Sequence, residues 1–136
     1  IVMMLNGALA GLVAITAEPL TPGPITAMFI GSIGAIIMYF GTKMLESYGL
    51  DDVVGAIPVH MFAGIFGTLV VPLTNSDTSF GTQFIGTASV CIFSFGLSWI
   101  TFTLLKSTIG LRISKAAEKL GTDKAEVGVT AYSIRD

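Results

Sequence analysis

The single histidine of this sequence, His60, is the side chain best suited to chemistry. It stands near the head of an apolar stretch that runs to Leu73, and two acidic residues, Asp51 and Asp52, precede that stretch. An ionisable side chain inside an apolar segment of this kind is costly and therefore suggests a function. Because imidazole takes up and releases protons near neutral pH, His60 is a candidate for proton transfer or polar recognition within a membrane.

Several other roles for His60 are open at this stage. A structural histidine that hydrogen-bonds a neighbouring helix fits its position equally well. Haem ligation is a further role for a lone histidine, but no other residue supports it, and no Cys/His cluster has metal-ligand spacing. A membrane enzyme with His60 as base would need a nucleophile at the matching depth, and we find none. We therefore predict no enzyme activity, no metal and no cofactor.

The composition places the chain among membrane proteins. Of its 136 residues, 52% are hydrophobic and only 12% are charged, whereas ordinary soluble domains carry about 25% charged residues. The mean hydropathy is +0.81. The formal net charge of −2 comes with no block of basic residues, so we predict no nucleic-acid partner.

The cysteine content and the first residues give two smaller expectations. Cys91 is the single cysteine and cannot form an internal disulfide; because it lies in an apolar run, we expect a buried structural thiol. No basic region precedes Ile1, so the start does not have a signal-peptide pattern. The chain begins inside an apolar run, and we expect it to be a fragment whose upstream part is missing.

Apolar segments divide the chain into four predicted transmembrane helices, at about residues 1–16, 25–45, 54–73 and 80–108. A helix that crosses the hydrocarbon core needs roughly 20 residues. Three prolines between residues 18 and 24 separate the first helix from the second, because proline cannot continue a helix. The predicted fold is all-α: a polytopic transmembrane helix bundle in residues 1–109, truncated at its N-terminus, followed by a tail at 110–136.

The positive charges predict the orientation. All seven lysine and arginine residues lie at Lys43, between residues 106 and 124, or at Arg135. Loops 17–24 and 74–79 carry none. The positive-inside rule therefore places the 43–53 loop and the C-terminal tail in the cytoplasm, and the start of the first helix with them.

Small residues recur on the predicted helices at spacings that favour close helix packing in lipid. The repeats are Gly7 and Gly11 on the first helix, Ala27, Gly31 and Ala35 on the second, and Ala63 and Gly67 on the third.

The face of the third helix that carries His60 can be predicted from the helical period. In a regular helix, Ala56, His60, Gly64 and Gly67 lie on one side, because residues three and four apart share a face. Small neighbours would leave space beside the imidazole, either for a partner helix or for a pore. Pro58, early in this helix, removes one backbone donor.

Four motifs, in order along the chain, resemble the ammonium transporter family (Amt/Mep/Rh), and its Amt branch in particular. Residues 6–16, NGALAGLVAIT, resemble the glycine-rich eighth helix of that family. Residues 51–68, DDVVGAIPVHMFAGIFGT, resemble its DDPVGAxxVHGxxGxxGT motif. Residues 108–114, TIGLRIS, resemble TxGLRVS at the end of its last helix, and residues 121–132, GTDKAEVGVTAY, resemble GLDxxEHGExAY in its tail.

The resemblance implies a fold and a function. Members of the family are trimers of eleven-helix subunits built from two inverted halves, and this chain would supply helices eight to eleven and the cytoplasmic tail. Each subunit has a narrow hydrophobic pore with two hydrogen-bonded histidines at its centre, and His60 matches the second of them. The expected function is ammonium or ammonia transport across the cell membrane.

Other site residues follow from the same resemblance. Thr16 matches a threonine near the external side of the pore, although it could equally bond its own helix backbone. Asp51 and Asp52 match an acidic pair that could serve coupling or simply cap the third helix. The stretch with Ala56 and Ile57 matches the cytoplasmic part of the pore, and Gly64 is a further candidate for its lining.

The sequence departs from the family at several positions. Met61 replaces the glycine that follows the histidine, and Val53 replaces a proline. In the tail, Val127 and Val129 stand in place of His and Glu, whereas Gly128 and Tyr132 remain. The family tail helps to regulate activity, often through a PII-type signalling protein, and Gly128 and Tyr132 are the candidates for a role of the tail in regulation.

Two related functions remain as alternatives. Some family members are ammonium sensors, which would show as a signalling domain after Asp136, and Rhesus-type ammonia channels share the fold. The run from Asp51 to His60 is more similar to the Amt branch.

Overall fold

The computed structural model describes residues 1–131, and its regular elements are helical. Helix α1 spans Val2–Thr16 and α2 spans Pro24–Ser47. A third helix, Ile57–Leu73, consists of a π-helical segment (Ile57–Phe62), α3 (Ala63–Val70) and a short 3-10 turn (Val71–Leu73). Helix α4 spans Phe80–Thr108, α5 spans Lys115–Leu120, and a π-helical turn spans Asp123–Val127. The chain divides into two compact units, Ile1–Ile92 and the residues from Phe93 onwards.

The ends of α2 follow from the local sequence. Pro24 occupies the first helical position, where a missing N–H has no consequence because no partner exists for it there. At the other end, Gly49 has φ of +68°, and the N–H of Leu50 donates to the carbonyl of Leu45. This is the glycine-terminated ending that satisfies the last carbonyls of a helix.

Helices α1 and α2 pack through backbone contacts that only small residues permit. A β-carbon added at Gly11 would lie 3.1 Å from the carbonyl oxygen of Gly31, and one added at Gly34 would lie 2.5 Å from the Cβ of Ala14. Of the small residues in the predicted repeats, Gly11 and Gly31 therefore meet at this interface. Such spacing lets two helix backbones approach closely, as it does in lipid-embedded bundles.

The third helix packs against α1 and α2 along one stripe. Val59, Ala63, Gly67 and Val71 are buried at four-residue spacing, and Val59 and Ala63 form the hydrophobic core together with Ala10 and Met38. A β-carbon at Gly67 would overlap the backbone of Ala14. The core of the first unit is thus made largely of small residues.

Helix α4 differs from α1, α2 and the third helix because none of its 29 residues is buried. Its bounds coincide with the predicted segment 80–108. Cys91 is half-buried, so the expectation of a buried thiol is wrong; the helix presents most of its apolar surface outward.

Two helices of the described part, α2 and α4, are long and apolar enough to cross a membrane by length and composition. Helix α1 and the third helix are apolar but shorter. Their bounds, Val2–Thr16 and Ile57–Leu73, approximate the predicted segments 1–16 and 54–73.

Candidate functional site

The segment that leads to His60 begins with an aspartate cap. The N–H of Ala56 donates to Oδ1 of Asp52 at 2.9 Å, and the N–H of Ile57 donates to Oδ2 at 2.7 Å. The N–H of Gly55 donates to the backbone carbonyl of Asp52 at 3.0 Å. A carboxylate in this position satisfies the free donors of the first turn and interacts favourably with the helix dipole. Of the acidic pair, Asp52 therefore has the capping geometry.

A second contact at this end comes from α1. The side-chain amide of Asn6 donates to the carbonyl of Val54 at 2.9 Å. Gly55, with φ of +74°, lies against that amide, and a β-carbon there would overlap Nδ2 of Asn6. Sequence reasoning did not single out Asn6. No residue type could have identified it, because its partner is a backbone carbonyl 48 residues along the chain.

His60 lies on the exposed side of the π-helical segment. Its neighbours Pro58 and Val59 are buried, whereas His60 and Met61 are exposed. The N–H of Ala63 is directed to the carbonyls of Pro58 and His60, which shows the wider i→i−5 pairing of a π-helix. Within residues 1–131 the imidazole has no hydrogen-bond partner, so its polar atoms face away from the packed bundle.

The residues predicted to lie on the face of His60 differ in exposure. Ala56 and Ile57 are exposed as His60 is, and Gly64 is half-buried, with space that a β-carbon would fill at 3.6 Å from Val13. Gly67, predicted on the same side, is instead buried against α1, so that part of the prediction is wrong. The prediction assumed a regular 3.6-residue period, and the extra residue per turn in the π-helical segment shifts His60 relative to α3.

Thr16 lies at the exposed end of α1. Its hydroxyl donates to the carbonyl of Leu12 at 2.6 Å. This is the local backbone bond that a threonine often makes near a helix end, and Thr16 is therefore held by its own helix in this structure.

Asp51 lies in an open cleft beside the start of the third helix. The cleft has a volume of about 260 Å³. Its lining residues come from the end of α2, the loop that follows and the start of the third helix: Thr42, Leu45, Glu46, Leu50, Asp51, Asp52, Val53, Gly55 and Pro58. Glu46 forms an ion pair with Lys43 at 3.0 Å. The cleft is consequently polar on one side, next to the Asp52 cap.

The opposite ends of α1 and the third helix also meet. Nδ2 of Asn75 donates to a carboxylate oxygen of Glu18 at 2.8 Å. Asn6 and Val54 pair near the starts of the two helices, and Glu18 and Asn75 pair near their ends, so α1 and the third helix run in the same direction. This agrees with the predicted topology, in which both helices start on one side of the membrane.

The tail belongs to the second unit and has its own polar contacts. Ser114 accepts from the N–H of Ala117 at 3.2 Å and caps α5. The carboxylate of Asp123 accepts from the N–H of Ala131 at 2.8 Å. That bond, followed by one from the backbone of Lys124, holds the pKa of Asp123 below its ordinary value.

The two tail residues predicted to serve regulation differ in what can be described. Gly128 has φ of +77°, a backbone conformation that glycine adopts most easily. Tyr132 lies outside the described residues. In the part of the chain that the structure covers, no three His, Cys, Asp or Glu side chains are grouped so that they could hold a metal ion.

Comparison with known proteins gives one consistent result. The sequence model described as "Ammonium Transporter Family" matches residues 1–132. The chain is 38% identical to the ammonium transporter Amt2 of Archaeoglobus fulgidus, with 96% of this chain and 32% of that protein covered. It is 39% identical to a putative ammonium transporter of Synechocystis sp., with 90% of this chain and 25% of that protein covered.

A eukaryotic relative shows a similar match. The chain is 29% identical to ammonium transporter 1 of Schizosaccharomyces pombe over 96% of this chain and 31% of that protein. The chain thus spans between a quarter and a third of the length of these curated relatives.

Proposed function

Because this chain belongs to the ammonium transporter family, we propose that the protein moves ammonium or ammonia across a membrane and that His60 lines the pathway. The curated relatives are named as ammonium transporters. One structural observation carries the role of His60: its side chain is exposed on the side of the third helix that faces away from α1 and α2. In a helix whose other face is packed against small residues, that side is available to line a pore.

Moving a charge through the hydrocarbon core of a membrane has a large free-energy cost. An ammonium ion that crosses about 30 Å of hydrocarbon loses its hydration shell at a large free-energy cost. The desolvation cost is much lower for neutral ammonia, so a pathway that removes the proton lowers the free-energy barrier to crossing the membrane. An imidazole can accept a hydrogen bond from ammonia or relay the proton. Potassium has no proton to give up, and such a pathway would reject it.

The proposed centre contains a second imidazole. His60 is the single histidine of these 136 residues, so its partner in a twin-histidine pore has to come from residues outside them. Ala56, Ile57 and Gly64 are proposed to line the pathway next to His60, and Thr16 to lie nearer its external end. Asp51, in the cleft, is proposed to act in coupling, and Asp52 to hold the helix that carries His60.

The assembly is part of the same proposal. We propose a homotrimer in the cytoplasmic membrane, as the family resemblance implies. The tail is proposed to lie inside the cell because the lysine and arginine residues lie in the 43–53 loop and from the last turn of the fourth helix onwards. Gly128 and Tyr132 are proposed to serve regulation by the tail, with a PII-type protein as the regulatory partner at the cytoplasmic face.

The test is the substitution His60→Leu in the complete protein, with the uptake of labelled methylammonium and the associated current as measurements. Loss of a hydrogen bond worth about 1.4 kcal/mol would change the uptake rate about tenfold. We also expect the charge moved per methylammonium to change. Met61→Leu is the matched control, because it alters the adjacent exposed side chain without removing an imidazole.

The outcomes discriminate clearly. Altered transport in His60→Leu with normal transport in Met61→Leu supports the pore role. Unchanged uptake, current and selectivity in His60→Leu would exclude His60 from the pathway. An equal effect of the control would place the effect in helix packing and also contradict the proposal.

A further inference from the structure

We propose that Gly41 and Phe62 are positioning residues for His60: the phenyl ring of Phe62 lies on the bare backbone of α2 at Gly41, and this contact fixes the rotation of the π-helical segment that carries His60. The inference rests on the proposed function, since the direction of the His60 side chain matters for transport only if His60 lines the pathway. Neither Gly41 nor Phe62 belongs to the Asp52 cap or to the proposed lining of the pathway.

Gly41 lacks a side chain at the point where the ring approaches. It lies on the buried face of α2, in line with Met38 and Leu45. A β-carbon added at Gly41 would overlap Cδ2 of Phe62 and would lie 2.8 Å from Cε2 of the same ring. Gly41 does not have a positive φ, so its backbone conformation does not require glycine. The space above its backbone is therefore the reason that only glycine fits here.

The same point on α2 also contacts the start of the π-helical segment. A β-carbon at Gly41 would lie 3.4 Å from Cβ of Pro58, and Pro58 is almost fully buried. Because Pro58 and Phe62 are four residues apart, they lie on one side of the segment. The segment Ile57–Phe62 is thus held against α2 near both of its ends.

This contact determines the direction of His60. Each residue of a helix is rotated by about 80–100° relative to the one before it, with the smaller value in a π-helix. A residue two positions away therefore points to nearly the opposite side. His60 is two residues from Pro58 and two from Phe62, so with both of these against α2 it is directed away from α2. Its exposed side chain agrees with this direction.

A ring that lies on a glycine resists rotation, whereas contacts between small residues do not. Glycine and alanine mainly determine how closely two helices approach. A phenyl ring buries a large area in a specific geometry. The adjacent Val59 belongs to the core with Ala10 and Met38, so the segment is in contact with its neighbours on two adjacent sides. Rotation of the segment about its axis would disrupt both contacts.

The test is a double-mutant cycle in the complete protein: wild type, Gly41→Ala, Phe62→Leu and the double variant. The methyl group of Gly41→Ala displaces the ring, whereas Phe62→Leu removes the ring atoms that the methyl group would overlap. If the two residues act through their contact, the double variant will be closer to wild type than Gly41→Ala is. If they act independently, the two effects will add.

Two measurements are made on each variant. Thermal unfolding of the purified protein reports the packing, and we expect Gly41→Ala to lower the midpoint by several degrees. Methylammonium uptake with simultaneous current gives the charge moved per molecule, which does not depend on the amount of folded protein.

Gly41→Ala should change this charge ratio in the direction of His60→Leu. It should also lower uptake about tenfold, since misplacement of a functional group by about 1 Å can cost about a hundredfold. Phe62→Leu alone leaves the segment less constrained and should change the ratio to a smaller extent. In the double variant we expect the midpoint, the uptake and the charge ratio to return most of the way to wild type.

The matched control is Gly34→Ala, on the same helix but at its contact with α1. The new β-carbon would lie 2.5 Å from Cβ of Ala14, so this variant is also overpacked and should have a lower unfolding midpoint. Its charge ratio should stay at the wild-type value, and Phe62→Leu should not restore its stability.

Contrary outcomes are distinct from one another. Additive effects of Gly41→Ala and Phe62→Leu would overturn a role of their contact. A lower midpoint in Gly41→Ala with an unchanged charge ratio would overturn the positioning of His60 and leave a packing contact. An equal change of the charge ratio in Gly34→Ala would attribute the change to lost stability and also overturn the positioning.

Two further results are decisive. If Gly41→Ala does not fold, Phe62→Leu decides by itself, and an unchanged charge ratio in that variant would overturn the proposal. Absence of methylammonium transport in the wild type would instead contradict the proposed function, and the unfolding cycle would still decide whether Gly41 and Phe62 interact.

Discussion

The third helix is held in two different ways along its length. Its start and the residues that lead into it, 52–57, are held by directed hydrogen bonds, the Asp52 cap and the amide of Asn6 on Val54, and Val59 then adds packing in the core. Its second part, from Ala63 onwards, is fixed by close packing, with Gly67 against the backbone of Ala14. His60 lies in the first part of the helix, before Ala63. Hydrogen bonds set orientation because they depend on angle, whereas the packing of small residues mainly sets the distance between helices.

The difference suits a transport site. A polar side chain in a narrow pathway has to point in one direction, and packing against glycine and alanine gives little resistance to rotation. The second part of the helix carries no polar side chain of the proposed pathway and needs only to stay close to α1. A substitution that weakens either the hydrogen bonds at the start of the helix or the close packing further along should therefore leave the other unaffected.

The largest effect is expected from Gly67→Ala in the packed part. The added β-carbon would overlap the backbone of Ala14, which cannot move aside as a flexible side chain can. Overpacking of this kind lowers stability by about 1–3 kcal/mol. The control is Gly64→Ala on the same helix, where the new β-carbon would lie 3.6 Å from a side-chain methyl of Val13, an ordinary contact.

The measurement is the free energy of unfolding of the purified protein in mixed micelles. Gly67→Ala should be the less stable of the two variants. Equal stabilities would show that the close approach of α1 and α3 does not constrain residue 67.

An intermediate effect is expected from Asp52→Ala in the hydrogen-bonded part. Two backbone donors lose their acceptor, and loss of such a cap typically costs about 1 kcal/mol. Asp51→Ala removes the adjacent carboxylate, which accepts no hydrogen bond from residues 1–131, and should leave stability nearly unchanged. Hydrogen exchange of the amides of Ala56 and Ile57 should accelerate in Asp52→Ala alone. Equal exchange in both variants would contradict the cap.

The smallest effect concerns the tail, where an aspartate again accepts from the backbone. The Ala131 bond lowers the pKa of Asp123 below the ordinary value of 3.8. A carboxylate with a lowered folded pKa stabilises its turn above the unfolded pKa, and this contribution is lost as pH falls through the folded pKa. We expect the carboxyl carbon of Asp123 to titrate below pH 3.8 in an NMR experiment, and the Ala131 amide resonance to follow it. A midpoint at or above that value would contradict the bond.

The sequence predicted the helices better than it predicted the faces they present. Prolines, a terminal glycine and apolar length are local signals, and the predicted segment 80–108 coincides with α4 (Phe80–Thr108). Small-residue repeats also identified the contact of Gly11 with Gly31, because the spacing itself encodes the close approach. The family resemblance is carried by motifs, and the comparison over residues 1–132 confirms it.

The remaining errors have physical causes that a local pattern does not contain. Gly67 was placed beside His60 because a constant helical period was assumed, and the π-helical segment changes that period. Asn6 was not singled out because its partner is the backbone carbonyl of Val54, far along the chain. Every residue has a backbone carbonyl, so the residue type at position 54 does not indicate this contact. Cys91 was expected to be buried because it lies among apolar residues, but an apolar neighbourhood in a membrane-type helix does not imply burial within the protein.

Because α1 and the third helix contact each other but are separated by α2 in the sequence, their contact forms late during synthesis on the ribosome. The contact of Gly11 with Gly31 joins neighbouring helices and can form as soon as α2 has emerged. The bond from Asn6 to Val54 spans 48 residues, which at typical rates of synthesis take about 2–10 s to be added. During that interval the nascent hairpin of α1 and α2 carries an amide whose partner has not yet been made, and the chain acquires the final orientation of its histidine helix only when translation reaches the segment after α2.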